Sequence, residues 1–382
     1  MNLNNSTCAA SGDLSGSGAG NTITIANQGT ITVDQATFKA NGGGTGGNAG
    51  SISMNINNGS QAVVLTKAKF EARGNLPASS TGLGGTVQIN KATGNFTDTD
   101  PNVGINVPYV INVDGGVGLG PTDFDGSIAL NGVTCQQYKT VAAIFPKVGW
   151  DCITPGSGSY IPTLVSAGAS LPPTIQNQFA NLISPPPAAP RVGVYAFNSL
   201  LAQQQFFGRP QNGPYDSQFG ISAVSWLRVS STFLSSSNGN NVAISGSPTI
   251  MVGALVHELG HHADYIWGPG LQNLSAQSGW TSLIAPEFAA MDSKPCVTVF
   301  DSATCTANPG KTNSQIFDIR FPGIGHAAGE LFPAMFEHVN SFLTGNPPSY
   351  QVEPELEKAL DTMTSLKSYM SNLIANPPPA TK

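Results

Sequence analysis

The chain is poor in charge. Only 10% of its 382 residues are Asp, Glu, Lys or Arg, against an ordinary ~25%, and the first 66 residues carry just Asp13, Asp34 and Lys39. Coiled coils and long single helices need a large charged fraction and are excluded. An intrinsically disordered chain is excluded too, because the low charge comes with 40% apolar residues and a net charge of only -6. With 16 Lys and Arg and a pI near 5.3, there is no basic cluster to neutralise phosphates, so nucleic acid is not an expected partner. No stretch approaches the roughly 18 apolar residues of a membrane span. The opening Met1-Asn-Leu-Asn-Asn-Ser-Thr7 has neither the basic nor the apolar segment of a secretory leader. Cysteine is scarce as well, at positions 8, 135, 152, 296 and 305. Cys135 with Cys152 and Cys296 with Cys305 close short local loops that suit disulfides, and Cys8 is left over. Paired cysteines in a Lys-poor, Asn/Thr-rich chain point to a secreted or extracytoplasmic protein.

Glycine and proline are abundant, 44 and 28 residues respectively, which favours many strands and turns. The N-terminal tract holds an internal repeat. Ile31-Thr-Val-Asp-Gln-Ala-Thr-Phe-Lys-Ala-Asn-Gly42 matches Val63-Val-Leu-Thr-Lys-Ala-Lys-Phe-Glu-Ala-Arg-Gly74 at a period of 32 residues. Each copy leads through a Gly-rich loop into another alternating strand, Ser51–Ile56 or Thr86–Ile89. Strand, glycine turn and strand repeated in this way predict a stacked all-β module over 1–155, either a β-solenoid or a sandwich of duplicated hairpins. It is similar to the β-solenoid repeats of exported adhesin-like proteins. Beyond it the pattern mixes helices and strands, so an α+β domain is expected over 156–382. That domain should end in an amphipathic helix, Pro354 to Ile374, with Leu356, Leu360, Met363, Leu366 and Met370 on one face.

Chemistry concentrates at His257-Glu-Leu-Gly-His261, inside the apolar run Thr249–Ile266. Ser247 and Pro248 suit a helix start, and Gly268-Pro269-Gly270 suits its end. On a helix, residues four apart share a face, so His257 and His261 can converge on one metal ion. Glu258 then stands close enough to a metal-coordinated water to take its proton. Interrupting an apolar helix with His-Glu-x-x-His is costly unless something binds there. His262, about 100° around the helix from His261, points away.

These residues resemble the zincin metallopeptidases. The metzincin continuation fails, since Asp264 and Trp267 stand where it has Gly and His. The gluzincin pattern fits better, with Glu330 on a downstream helix and Phe332 and Phe336 beside it. The closest resemblance is to lethal-factor-like gluzincins, through His257, Glu258, Gly260, His261, Asp264, Pro286-Glu-Phe288, Glu330, Phe332 and Phe336. It implies a Zn2+ cofactor held by His257, His261 and Glu330, with Glu258 as general base and then proton donor to the leaving amine. It also implies a protein or peptide substrate. The resemblance leaves the third ligand open between Glu330, His326 and Glu287. His326 alternatively serves as the catalytic donor to the developing oxyanion, because Gly323 falls where the family has a Tyr. Pro333-Ala334 replaces the family's Ala-Glu, which makes Glu337 the candidate outer carboxylate, while Asp264 is a candidate to orient a histidine ligand. The competing expectation is a non-enzymatic adhesin-like or binding protein with a structural metal or none.

Overall fold

Alternating apolar residues build strands that bury one face, and in the computed structural model of the chain those strands stack in parallel. The structure describes residues 1–4, 6–12, 18–44, 46–66, 68–74, 82–93, 98–100, 104–106, 109–113, 124–138, 149–152, 168–180, 193–197, 200–207, 222–226, 241–245, 248–269, 272–322, 324, 328–344 and 354–379. The first rung is β1 (Asn2–Asn4), β2 (Thr7–Ala9) and β3 (Thr22–Asn27). The second is β4 (Ile31–Asp34), β5 (Thr37–Lys39) and β6 (Ser51–Ile56), and the third is β7 (Val63–Thr66), β8 (Ala68–Glu71) and β9 (Thr86–Ile89). A fourth starts with β10 (Ala92–Thr93), detours through the antiparallel pair β11 (Asp98–Asp100) and β12 (Gly104–Asn106), and finishes with β13 (Tyr109–Asn112) and β14 (Phe124–Leu130).

Like strands pair in parallel as β1-β4-β7-β10, β2-β5-β8-β13 and β3-β6-β9-β14. Duplicated hairpins would pair antiparallel, so the module is a solenoid rather than a sandwich. The 32-residue repeat is the register itself: Ile31 lies beside Val63 and Phe38 beside Phe70. The two phenylalanine rings stack at 5.2 Å and 9° inside the solenoid. The first three rungs turn through a glycine, Gly20, Gly50 or Gly85, before their third strand. A β-carbon on Gly50 or Gly85 would lie 2.1 or 2.0 Å from a backbone carbonyl oxygen, so only glycine lets the corners stack.

The third sheet does not stop at the last rung. β15 (Val133–Tyr138) and β16 (Gly149–Cys152) continue it in antiparallel fashion, and Cys135, which is disulfide-bonded, stands directly across the ladder from Cys152. Helix α1 (Pro173–Ala180) intervenes in the chain. β17 (Gly193–Phe197) then pairs with β16, helix α2 (Leu200–Phe207) packs on the sheet, and after β18 (Ser222–Trp226) the strand β19 (Asn241–Ser245) pairs with β17. The chain divides into two compact units. One comprises Met1–Ile161, Ile183–Gln211 and Trp226–Ser245; the other comprises Pro162–Leu182, Asn212–Ser225 and Gly246–Lys382. Strands β17 and β19 thus belong with the solenoid's sheet. The Gly/Ser turn at 155–159, the Pro-rich segment 185–190 and Ser247 lie outside the described residues.

Apart from Ser222–Ser225 of β18, the second unit is helical where it is described, and α1 is part of it. It contains α3 (Pro248–Trp267), a 3-10 turn (Leu274–Ala276), α4 (Ser278–Asp292), α5 (Cys296–Val299), α6 (Ser302–Ala307), α7 (Asn313–Arg320), α8 (Ala328–Thr344), α9 (Pro354–Asp361) and α10 (Thr364–Ala375). Trp280 packs edge-on to Phe332 at 4.9 Å, and Trp267 lies 6.0 Å from Phe336, so α3, α4 and α8 share one aromatic core. The Cys296–Cys305 disulfide joins α5 to α6. The single helix expected over Pro354–Ile374 is broken at Thr362-Met363. The break is stable because its orphan groups find partners: Lys294 Nζ donates to the Thr362 carbonyl at 3.1 Å, and Glu287 accepts from the Ser365 N–H at the start of α10. No helix among the described residues is long and apolar enough to cross a membrane.

Candidate metal centre

The site forms where α3 and α8 cross. Helix α3 is apolar along most of its length, which commits it to the interior, and it carries His257, Glu258, His261, His262 and Asp264 inward with it. Gly260 sets the approach of α8. A β-carbon there would lie 2.7 Å from Pro333 Cα and 3.2 Å from Phe336 Cβ, so the missing side chain admits the facing backbone. Pro333 in turn sits one turn beyond Glu330, whose carboxylate therefore arrives over the two histidines.

The donor atoms of His257, His261 and Glu330 all lie within 4.8 Å of one another, the arrangement of a three-ligand metal site. Glu330 Oε2 is 3.7 Å from His257 Nε2 and 3.4 Å from His261 Nε2. Ligands at 2.0–2.1 Å around a tetrahedral ion stand about 3.3 Å apart, so the three donors fit such an ion with little adjustment. His257 and Glu258 are buried, while Glu330 keeps 46% of its side chain exposed and leaves the centre open on that side. This group could hold a metal ion.

Charge binds the triad together. Burial by itself pulls the imidazoles down, yet hydrogen bonding to Glu330 and the charge of Glu258 outweigh it, and His257 is held at about 10, with Glu337 adding to the effect. His261 is raised as well, against burial, by its hydrogen bond to Glu330 and the charges of Glu330 and Glu258. Partial burial opposes ionisation of Glu330, but its two imidazole partners hold the carboxyl far below the ordinary range.

Glu337 stands behind the ligands. It is fully buried, and its Oε2 lies 3.6 Å from His257 Nδ1, on the far side of the ring from Glu330. That is the position from which a carboxylate orients a histidine ligand. Ala334, where the resemblance expects an acid, is one turn nearer on the same face of α8. The buried carboxylate of this chain stands seven residues past Glu330.

Asp264 is engaged elsewhere. Its carboxylate accepts the Ser275 N–H at 2.5 Å, the Ser275 hydroxyl at 2.7 Å and the Asn273 amide at 3.2 Å, and so clamps the 3-10 turn against α3. Burial pushes this carboxyl up to about 6, against those hydrogen bonds. Glu287, on α4, caps α10 and is not a member of the triad. His262 is buried in the helical core. His338 holds α8 to α9, its ring nitrogens meeting Glu357 and, at 3.1 Å, Asp361. His326 and Gly323 lie outside the described residues. The contacts that sequence reasoning does not reach are Gly260 with Pro333 and Asp264 with Ser275. The first was signalled by the small residue inside the histidine motif; no pattern announced the second.

Comparison with protein-family models, with curated proteins and with solved structures returned no match.

Proposed function

We propose that the helical unit is the catalytic part of a zinc-dependent metallopeptidase of the gluzincin type, acting on protein or peptide substrates. The observation that carries this reading is the convergence of His257, His261 and Glu330, with Glu258 next to the first ligand on the same helix. Two imidazoles and one carboxylate are the donor set of a catalytic zinc with an open position, whereas structural zinc is usually closed by four protein ligands. Zinc, when bound, supplies Lewis acidity toward a carbonyl and toward a water molecule.

The remaining work falls to the chain. His257, His261 and Glu330 would hold the ion, and Glu337 would orient the His257 ring. Glu258 takes the proton of the attacking water on its carboxylate and returns it to the nitrogen of the leaving amine. The Cys296–Cys305 disulfide supports an extracytoplasmic setting for this activity.

The test is Glu258→Gln. The purified variant is expected to keep its zinc while peptide hydrolysis falls by roughly two to four orders of magnitude. Retention of wild-type turnover would overturn the assignment. Wild-type protein that binds no zinc at neutral pH would overturn the metal centre itself.

A further inference from the structure

Five Asn-Gly pairs occur in the chain, at 41–42, 58–59, 131–132, 212–213 and 238–239. The last two lie outside the described residues. Glycine after asparagine leaves its backbone nitrogen unhindered, free to reach the side-chain carbon Cγ. Structure decides which pairs can use that freedom. Asn41 Oδ1 is held by the Arg73 N–H at 2.9 Å, and the Gly42 N–H is spent on the Arg73 carbonyl at 2.8 Å. Asn131 sits in the tight turn between β14 and β15, where its amide donates to the Phe206 carbonyl at 3.3 Å.

Asn58 is placed differently, in the exposed corner between β6 and β7. Its Oδ1 accepts the N–H and the hydroxyl of Ser60 at 3.3 and 3.2 Å, which folds the side chain back over the Gly59 nitrogen. Nothing lies within 4 Å of where a β-carbon on Gly59 would stand. Among the described residues, the Gly59 N–H donates to no group. From the turn between β9 and β10, Lys91 Nζ donates to the main-chain carbonyl of Asn58 at 2.6 Å.

We infer that Asn58-Gly59 is a site of self-modification, at which the Gly59 nitrogen displaces ammonia from the Asn58 side chain. The donors sit on the two oxygens that take up charge. When the Gly59 nitrogen gives its proton to a solvent base, the negative charge rests largely on the Asn58 main-chain oxygen, the atom that the Lys91 ammonium holds. As the bond from nitrogen to Cγ forms, charge moves to Oδ1, where Ser60 supplies two donors. Nδ2 then takes a proton and leaves as ammonia, and a succinimide ring remains. Water adds to either ring carbonyl and breaks its C–N bond, giving aspartate or isoaspartate; nothing is oxidised or reduced. Either product brings a carboxylate near Lys91, in a tract whose first 66 residues carry only Asp13, Asp34 and Lys39. Isoaspartate also lengthens the main chain at this corner by one methylene.

The test incubates the full chain at mildly alkaline pH. Peptide mass spectrometry locates each amide turned acid, and an isoaspartate methyltransferase separates the two products. Asn58 is expected to convert at least roughly tenfold faster than Asn41 or Asn131. Lys91→Met and Ser60→Ala should each slow it roughly two- to tenfold, the kinetic equivalent of one hydrogen bond. In strong urea, where these contacts are gone, both variants should convert as fast as wild type. An Asn58 that keeps its amide would overturn the inference. So would a native-state rate indifferent to either substitution, or the same slowing in urea as in the folded protein.

Discussion

Gly260 and Pro333 touch backbone to backbone, and that contact sets the distance between the histidines of α3 and the glutamate of α8. A methyl group at position 260 would meet Pro333 Cα at 2.7 Å, closer than any ordinary contact. Pro333 cannot yield by rotating a side chain, so the helices themselves must part. Gly260→Ala is therefore expected to destabilise the helical unit by about 1–3 kcal/mol. It should also weaken zinc binding at least roughly tenfold, since ligands on separate helices tolerate little displacement. Chelator competition on folded protein measures the second effect independently of the first.

Glu337 supplies the carboxylate that Ala334 lacks. Glu337→Gln keeps the volume and removes the charge facing His257 Nδ1. Zinc affinity is expected to fall roughly 10–100-fold, the usual consequence of losing an outer partner of a histidine ligand. The double variant Ala334→Glu/Glu337→Gln returns an acid one turn earlier on the same face and should recover part of the loss. Affinity unchanged in Glu337→Gln would show that His257 is oriented by its helix alone.

Asp264 yields a pH dependence. Its carboxyl is raised to about 6 by burial, above the ~3.9 of an unfolded chain. The folded state thus binds the proton more tightly, so this group's contribution to stability is greatest below the unfolded value. It is lost progressively as pH rises from about 4 through 6. In urea titrations the stability of wild type relative to Asp264→Asn should accordingly be higher at pH 4.5 than at pH 7, by a difference on the order of 2 kcal/mol. A constant gap would mean that the Ser275 and Asn273 hydrogen bonds offset the burial completely.

Two stacked rings sit in the solenoid's largely aliphatic interior, and Phe70 lies between Phe38 and Ile111 in register. Phe70→Ala removes a fully buried ring that β8 cannot close over. A loss of about 3–5 kcal/mol is expected from the cavity and the lost burial, read by equilibrium denaturation of the β unit.

Some of these features could be read from the residues and others could not, for identifiable reasons. The repeat was visible where rung length is constant, Ile31 to Val63 and Phe38 to Phe70. It disappears along the third sheet, where Thr22, Ser51, Thr86 and Ser127 are neighbours at intervals of 29, 35 and 41 residues. The strands keep their pairing although the segments between them differ in length, so periodicity fails there while structure persists. His257, Glu258 and His261 were legible because one helical turn encodes their geometry. Glu330 needed the second helix as well. Its register on α3 depends on Gly260 meeting Pro333, a contact across 73 residues of chain. The partners of Asp264 are a serine and an asparagine in a turn, residue types whose polar contacts leave no periodic trace. The break in the last helix depends on Lys294 and Glu287, both far upstream of Thr362.

The sheet that begins as the wall of the solenoid takes in β19, and only residues 246 and 247 separate that strand from α3. The β unit and the histidine motif are therefore neighbours along the polypeptide as well as parts of one protein. Amide exchange in β19 should follow the opening of the strands around Ile52 and Val87 rather than local fraying, because its hydrogen bonds belong to their sheet. A cut placed near residue 155 would separate β17 and β19 from the partners that order them. What looks in outline like a module complete by residue 155 is, in folding terms, a sheet finished by strands that arrive much later in the chain, at 193–197 and 241–245.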